Sequence, residues 1–217
     1  MTTDPRQICS RRYCVVSAPS SDGLIHVPPG VTRSAKIVIS GSFGVGKTTF
    51  VGSVSQIPPL RMEERITEAS AGVDDLARTP HKTTTTVGMD FGRLHLSDAL
   101  VLYLFGTPGQ GRFRPLWEGL TEGALGALVL VDTRDLEASF EILALHEEQG
   151  TPYAVAVNLF DGAPRYDLDE IRQALDLAAH TPLTTCDARD STSGVLALIT
   201  LCEYLTDAHA PALEPRP

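Results

Sequence analysis

The apolar run AKIVIS (35–40) passes without a break into GSFGVGKT (41–48), and a helical pattern opens at Lys47. Those eight residues match G-x-x-x-x-G-K-[ST], and a strand before with a helix after is the setting that pattern requires. Its glycines let successive backbone N–H groups turn into one concavity, a nest for an anion. The helix N-terminus beyond it adds partial positive charge. Lys47 is long enough to reach β- and γ-phosphate oxygens, and the Thr48 hydroxyl is a suitable ligand for Mg²⁺. The stretch Gly41, Ser42, Phe43, Gly44, Val45, Gly46, Lys47, Thr48 and Thr49 is therefore expected to hold the phosphates of a nucleotide.

A loop of this kind sits between a buried strand and a helix, and the remaining pattern repeats that alternation. GALVLVD (126–132) and PYAVAVN (152–158) are short, bounded and rich in Val and Ala, as strands buried on both faces of a parallel sheet are; LTTC (183–186) is a weaker fourth. VGMDFGRLHL (87–96) and ALVLYLF (99–105), split by Ser97 and Asp98, read as an antiparallel hairpin. Helical patterns fall at 47–56, 112–123, 134–148, 167–179 and 192–207. In the third, Leu136, Phe140, Leu143 and Ala144 are expected on the apolar face and Glu137, Glu141 and Glu148 in water. The expected fold is α/β in three layers, with about six mostly parallel strands, one of them antiparallel, and about five helices.

Residues 1–33, with SAPSSDG and VPPG, show no sustained period and read as a flexible extension; residues 209–217 read as a disordered tail. The core domain is expected over 34–208. Its length suits one domain. A net charge of −9 argues against a broad nucleic-acid footprint, which needs clustered Lys and Arg. No apolar run reaches the about 18 residues of a membrane span, and no signal peptide, myristoylation glycine or prenylation box is seen. Cys9, Cys14, Cys186 and Cys202 form no paired C-x-x-C and are expected to be reduced thiols of a cytoplasmic protein.

A phosphate loop does not choose between adenine and guanine. The strand ending at Asn158 continues into Leu159, Phe160 and Asp161. An N-x-x-D turn there can set a carboxylate against guanine's N1–H and exocyclic amine, whereas adenine would leave it unmatched at roughly 1–3 kcal/mol. A second turn, LFGTPGQ (104–110), ends in Gln110, a side chain that can orient a water.

With these motifs in this order, residues 35–207 resemble the Ras-like small GTPases. GSFGVGKT resembles the family's phosphate loop, Thr86 in TTVGMDF its switch-I threonine, GTPGQ its switch-II turn, NLFD its base-reading turn, and Cys186-Asp187-Ala188-Arg189 its last base loop. Closer still, the chain resembles the bacterial MglA-like group, especially conservon GTPases encoded beside roadblock-domain partners. The resemblance implies a switch that binds GTP and GDP with Mg²⁺, hydrolyses GTP slowly, and engages a roadblock-type partner, with recruitment to a membrane signalling complex. It also implies roles: Lys47 and Gln110 in catalysis, Thr48 and Thr86 on the metal, Gly109 N–H on the γ-phosphate, and Asn158, Leu159, Asp161, Asp187, Ala188 and Arg189 around guanine. Ala188 is expected to offer its N–H to the guanine carbonyl.

Three departures from the family pattern are informative. Gly106 stands where the family has an aspartate that helps hold the metal, so weaker Mg²⁺ retention is expected. Leu159 replaces the lysine of N-K-x-D. Thr86 follows Lys47 by 39 residues, about twice the family's gap, and an insert at about 57–82 enlarges or precedes switch I. Gly106 and Leu159 also suit a nucleotide-binding module that no longer hydrolyses. A P-loop ATPase or kinase is the third reading. Beyond the motifs, Phe43 is read either as plain packing or as a ring blocking an arginine finger. Trp117 is read as half exposed, either core or a partner anchor. His81, His95 and His146 share no metal spacing, and Arg112 and Arg114 read as solvated charges.

Overall fold

The computed structural model describes residues 30–65, 86–109 and 114–209. The elements are β1 (Arg33–Gly41), α1 (Lys47–Val54), β2 (Leu60–Arg65), β3 (Thr86–His95), β4 (Leu100–Gly106), α2 (Arg114–Thr121), β5 (Gly126–Val131), α3 (Phe140–Gln149), β6 (Tyr153–Asn158), α4 (Leu168–Ala174), β7 (Leu183–Cys186) and α5 (Ser191–His209). Seven strands form one sheet in the order β2-β3-β4-β1-β5-β6-β7. β3 runs antiparallel to both of its neighbours, and the other pairings are parallel. The strands expected from the apolar runs and the hairpin all form. The hairpin turn closes through Leu96 N–H and Ser97 N–H to Leu100 O.

β2 is an addition to the expected set. Residues 60–65 of the expected insert form an edge strand that pairs from Leu60↔Phe91 to Arg65↔Thr86. β3 pairs with β4 only as far as Asp90↔Gly106. Residues 86–89 therefore project past the end of β4, and among the described residues their strand pairing is with β2. The rest of the expected insert, the extension through residue 29 and the tail from 210 lie outside the described residues, as do Gln110 and Arg112.

Two cores flank the sheet. On one face α1 and α5 bury Phe50, Val51, Leu198 and Leu201 against Ile37, Ile39, Leu104 and Leu128. On the other, Trp117, Ile142, Leu143, Leu145 and Ile171 pack on Val38, Val129 and Val155. Trp117 is only 3 % exposed, which corrects its reading as a half-exposed partner anchor. The apolar face of α3 is also corrected. Ile142, Leu143, Leu145 and His146 are buried, whereas Phe140 and Ala144 are exposed. A 3-10 turn over Glu137–Ser139 precedes the helix. The helical phase therefore starts afresh at Ser139, and positions i+3, i+4 and i+7 from it face the sheet.

The strand order reverses at β1: the chain reaches β4 on one side of it and β5 on the other. The crevice beyond the carboxyl ends of strands at such a switch point is where open α/β sheets bind ligands. GSFGVGKT leaves β1 at that place.

Candidate functional site

The phosphate loop is built as its residue types require. Gly44 and Gly46 have φ of 80° and 102°, in the left-handed region. A Cβ on Gly46 would lie 2.6 Å from Asn158 Nδ2, so only glycine fits there. Gly46 caps α1 with no side-chain hydrogen bond, and Phe50 N–H to Gly46 O (2.8 Å) is the first bond of the helix. No side chain caps the opening turn of α1, whose N–H groups remain for an anion.

Lys47 lies in this concavity, 8 % exposed. Its Nζ donates to Gly41 O and Ser42 O, both at 2.7 Å. Burial pushes its ammonium down to about 7, and the nearby Asp90 charge opposes that only in part. The turn Gly106–Gly109 closes one wall. A Cβ on Gly109 would come within 2.7 Å of Phe43 Cα and 2.8 Å of Lys47 Nζ, so this turn presses its backbone against the loop. Trp117 Nε1–H donates to Pro108 O at 2.6 Å and fixes the turn from behind. Phe43 is 47 % exposed.

Asp90 is a candidate site residue that the sequence reading missed. It is buried, 7 % exposed, and accepts a 2.5 Å hydrogen bond from the Thr48 hydroxyl. It pairs across the ladder with Gly106, where a Cβ would meet Asp90 Cβ at 3.1 Å. A carboxylate thus lies beside position 106 on the adjacent strand, and the glycine makes the room. The hairpin offered a partial signal. It falls short by one residue: a two-residue turn at Ser97 and Asp98 sets residue 89 opposite 106, whereas the turn closes at Leu96 and Leu100 and sets Asp90 there.

Among the described residues no group of three or more His, Cys, Asp or Glu side chains comes together. A hydroxyl and one carboxylate beside a phosphate nest still fit Mg²⁺, which takes oxygen ligands and keeps several waters. Thr86 is not brought to this pair. Its backbone stands four residues from Asp90 along β3, roughly 13 Å at strand spacing.

The base end is joined to the phosphate end by Asn158. Its buried Nδ2 donates to Val45 O at 2.8 Å, and its Oδ1 accepts from Ala188 N–H at 2.9 Å. That second bond corrects the expectation that Ala188 N–H is available to a guanine carbonyl: the buried amide oxygen already holds it. Leu159 N–H donates to Cys186 O (2.8 Å), which keeps the two base loops side by side. Asp161 is 87 % exposed and is clamped by Arg189, with Nη1 to Oδ2 at 2.7 Å and Nη2 to Oδ1 at 3.1 Å. The same guanidinium holds Asp187 through Nε and Nη2 (2.9 and 2.8 Å). These contacts hold the Asp161 and Asp187 carboxyls below the usual range, Asp187 at about 2. Behind the turn, Arg134 is bound by Asp132 and sits 3.8 Å from the Phe160 ring centroid.

His146 is buried and pairs Nε2 with Ser40 Oγ at 2.8 Å, one residue before the phosphate loop. His95 Nδ1 meets Gln56 Oε1 at the end of the hairpin. Cys186 and Cys202 are free thiols.

The comparisons agree with this architecture. The cytosolic domain of the Thermotoga maritima FeoB iron transporter, in a GDP form, matches with a TM-score of 0.57 at 16 % identity, covering 85 % of this chain and 67 % of that one. The Arl6 (BBS3) small GTPase of Trypanosoma brucei, with bound GppNp, also matches at 0.57, with 17 % identity over 80 % of this chain and 98 % of its own. At such identities the likeness shows the fold alone, which is the G-domain fold of P-loop GTPases. In sequence, an uncharacterised protein of Methanocaldococcus jannaschii is 30 % identical over 128 residues, 58 % of this chain and 70 % of the relative. Residues 39–208 match the family described as conserved hypothetical ATP binding protein, and the chain belongs to that family.

Proposed function

We propose that the protein binds GTP and GDP with Mg²⁺ and hydrolyses GTP slowly, acting as a switch read by a partner. The observation that carries this reading is the buried Thr48–Asp90 pair at the phosphate loop. It makes good the acidic group missing at Gly106, the strongest argument for a module that only binds. In the reaction, water attacks the γ-phosphorus, the bond to the β–γ bridging oxygen breaks, and GDP and phosphate leave. The loop amides and Lys47 hold the β- and γ-phosphates, and Lys47 exchanges its two carbonyl partners for phosphate oxygens. Gly109 N–H meets the γ-phosphate, and Gln110 orients the water. Thr48 and Asp90 would hold the Mg²⁺, with Thr86 joining when the first residues of β3 leave β2. The ion, when bound, neutralises charge on the phosphate oxygens. Asp161, with Asn158, Leu159, Asp187 and Arg189, reads guanine.

The resemblance to conservon GTPases supports a roadblock-type partner in a cytoplasmic complex at a membrane. The projecting β2–β3 ribbon, next to the phosphate site, is a suitable surface for a partner that reads nucleotide state. The family's description favours a second reading, in which the nucleotide is ATP.

A competition assay on nucleotide-stripped protein separates the two, and GTP is expected to displace a labelled nucleotide far better than ATP. Equal displacement would sink the guanine assignment. Single-turnover hydrolysis with partner present should be measurable in wild type and suppressed in Gln110→Leu without weaker GTP binding. Absence of wild-type turnover would leave a binding module.

A further inference from the structure

Asp161 is the carboxylate on which the guanine reading depends, and it already has a partner. The Arg189 fork meets both of its oxygens, Nη1–H on Oδ2 at 2.7 Å and Nη2–H on Oδ1 at 3.1 Å. A two-pronged contact of this kind takes the two parallel lone pairs of a carboxylate. Guanine's N1–H and 2-amino group, side by side, need the same two. Base and guanidinium are therefore alternatives at Asp161.

Arg189 is also anchored elsewhere. Asp187 accepts its Nε–H at 2.9 Å and its second Nη2–H at 2.8 Å. Asp187 is itself fixed, accepting Arg189 N–H and donating its own N–H to Ser193 Oγ, both at 2.9 Å. None of these bonds involves Asp161, so they can persist when the fork lets go. The exchange at Asp161 is balanced: two N–H donors of the guanidinium leave and two of guanine arrive. Adenine cannot complete it, because its edge sets one amino donor beside a ring acceptor. With adenine in the site the fork stays in place, and the carboxylate is not left unmatched. The penalty that an unpaired carboxylate would set against adenine is thus removed by the protein's own side chain.

We propose that Arg189 competes with guanine for Asp161 and so narrows the preference for guanine over adenine. The inference rests on the guanine reading proposed above. Arg189 takes part in base reading as a displaceable occupant, and Asp187 is the positioning residue that keeps it within reach. The Asp161–Arg189 pair is largely exposed, so it is weak enough for a base to displace and sensitive to salt.

The test measures the ratio of GTP to ATP affinity on nucleotide-stripped full-length wild type, Arg189→Ala, Asp161→Ala and the double variant. Arg189→Ala should raise the ratio about three- to fivefold, the size of an exposed ion pair. In the Asp161→Ala background the same substitution should leave it unchanged, because the competition needs the carboxylate. Wild type should show a similar rise with no substitution as salt increases from about 0.05 to about 0.5 M. The triphosphate is common to both nucleotides and cancels from the ratio, whereas the exposed pair is screened. An unchanged or lower ratio in Arg189→Ala would overturn the proposal. So would an equal rise in the Asp161→Ala background, which would place the effect of Arg189 outside that carboxylate. Inorganic tripolyphosphate, which reaches only the phosphate loop, should bind every variant alike. If Arg189→Ala loses it, the wild-type salt series decides, and a flat ratio there overturns the proposal. ATP bound as tightly as GTP by wild type and Arg189→Ala alike would instead remove the guanine reading itself.

Discussion

The two ends of the site are built from opposite materials. At the phosphate end the charges are buried: Lys47 and Asp90 are under 10 % exposed, and the groups around them are backbone carbonyls, a hydroxyl and a close-packed turn. At the base end the charges are in water, in the Asp161–Arg189–Asp187 chain. Charges held in low dielectric interact strongly and resist screening, whereas exposed pairs are worth little and weaken with salt. The phosphate end is therefore suited to supplying affinity and the base end to supplying choice. Asn158 joins them, so a shift of either loop is felt at the other.

The largest effect should come from Lys47→Ala. It removes the loop's buried counter-charge, and GDP affinity by calorimetry is expected to fall more than about 100-fold, since losing a charged partner inside a site costs roughly 3–5 kcal/mol. An unchanged affinity would break the comparison outright by moving the phosphates elsewhere.

Asp90→Asn comes next. It keeps the hydrogen bond to Thr48 but loses the charge, and Mg²⁺-dependent nucleotide retention should drop about 10–100-fold, the range seen when groups around a metal are altered. Gly106→Asp should not tighten Mg²⁺, because its Cβ would lie 3.1 Å from Asp90 Cβ and set two carboxylates side by side. Release rates with and without chelator decide both. Tighter binding in Gly106→Asp would mean that Asp90 is not the replacement.

The pH dependence should be smaller and confined to the phosphate end. Lys47 is held down to about 7 while the site is empty. Phosphate oxygens favour the ammonium and raise it again. Above pH 7 the bound state thus carries more protons than the empty one, and binding takes up a proton. Affinity is full below pH 7 and falls as pH rises, by at most about tenfold per unit. Calorimetry at pH 8 in two buffers of different ionisation enthalpy should read uptake of up to one proton. No uptake would show that Lys47 is charged in the empty site.

The smallest effect is Trp117→Phe. It leaves the Pro108 carbonyl without its indole donor, which should lower the unfolding free energy by about 1–3 kcal/mol in a denaturant titration. The turn would then press less firmly on Phe43 and Lys47, and nucleotide release should quicken more than base preference changes. An altered base preference would mean that the two ends are less separable than their construction implies.

Local pattern alone was enough for the strand–loop–helix unit at 35–54, the β3–β4 hairpin and the buried β5 and β6 strands. A nest of N–H groups, a two-residue alternation and a turn between two strands are all set by neighbours in the chain. The same holds for the place of Lys47, Thr48 and Gly109. Asp90 is 42 residues from Thr48, Asn158 is 113 from Val45, and Ser40 is 106 from His146. No local periodicity can register such pairs. They follow from strand register and from how the loops at one edge of the sheet meet. Burial of Trp117 and the rotated face of α3 were decided in the same way, by a single 3-10 turn and by the helix–sheet contact on which the second core closes. The sequence determined which chemical groups were available for a nucleotide. Tertiary packing decided which were already bound to each other, because a hydrogen-bond donor such as Ala188 N–H is counted as free or spent only once its distant partner is in place.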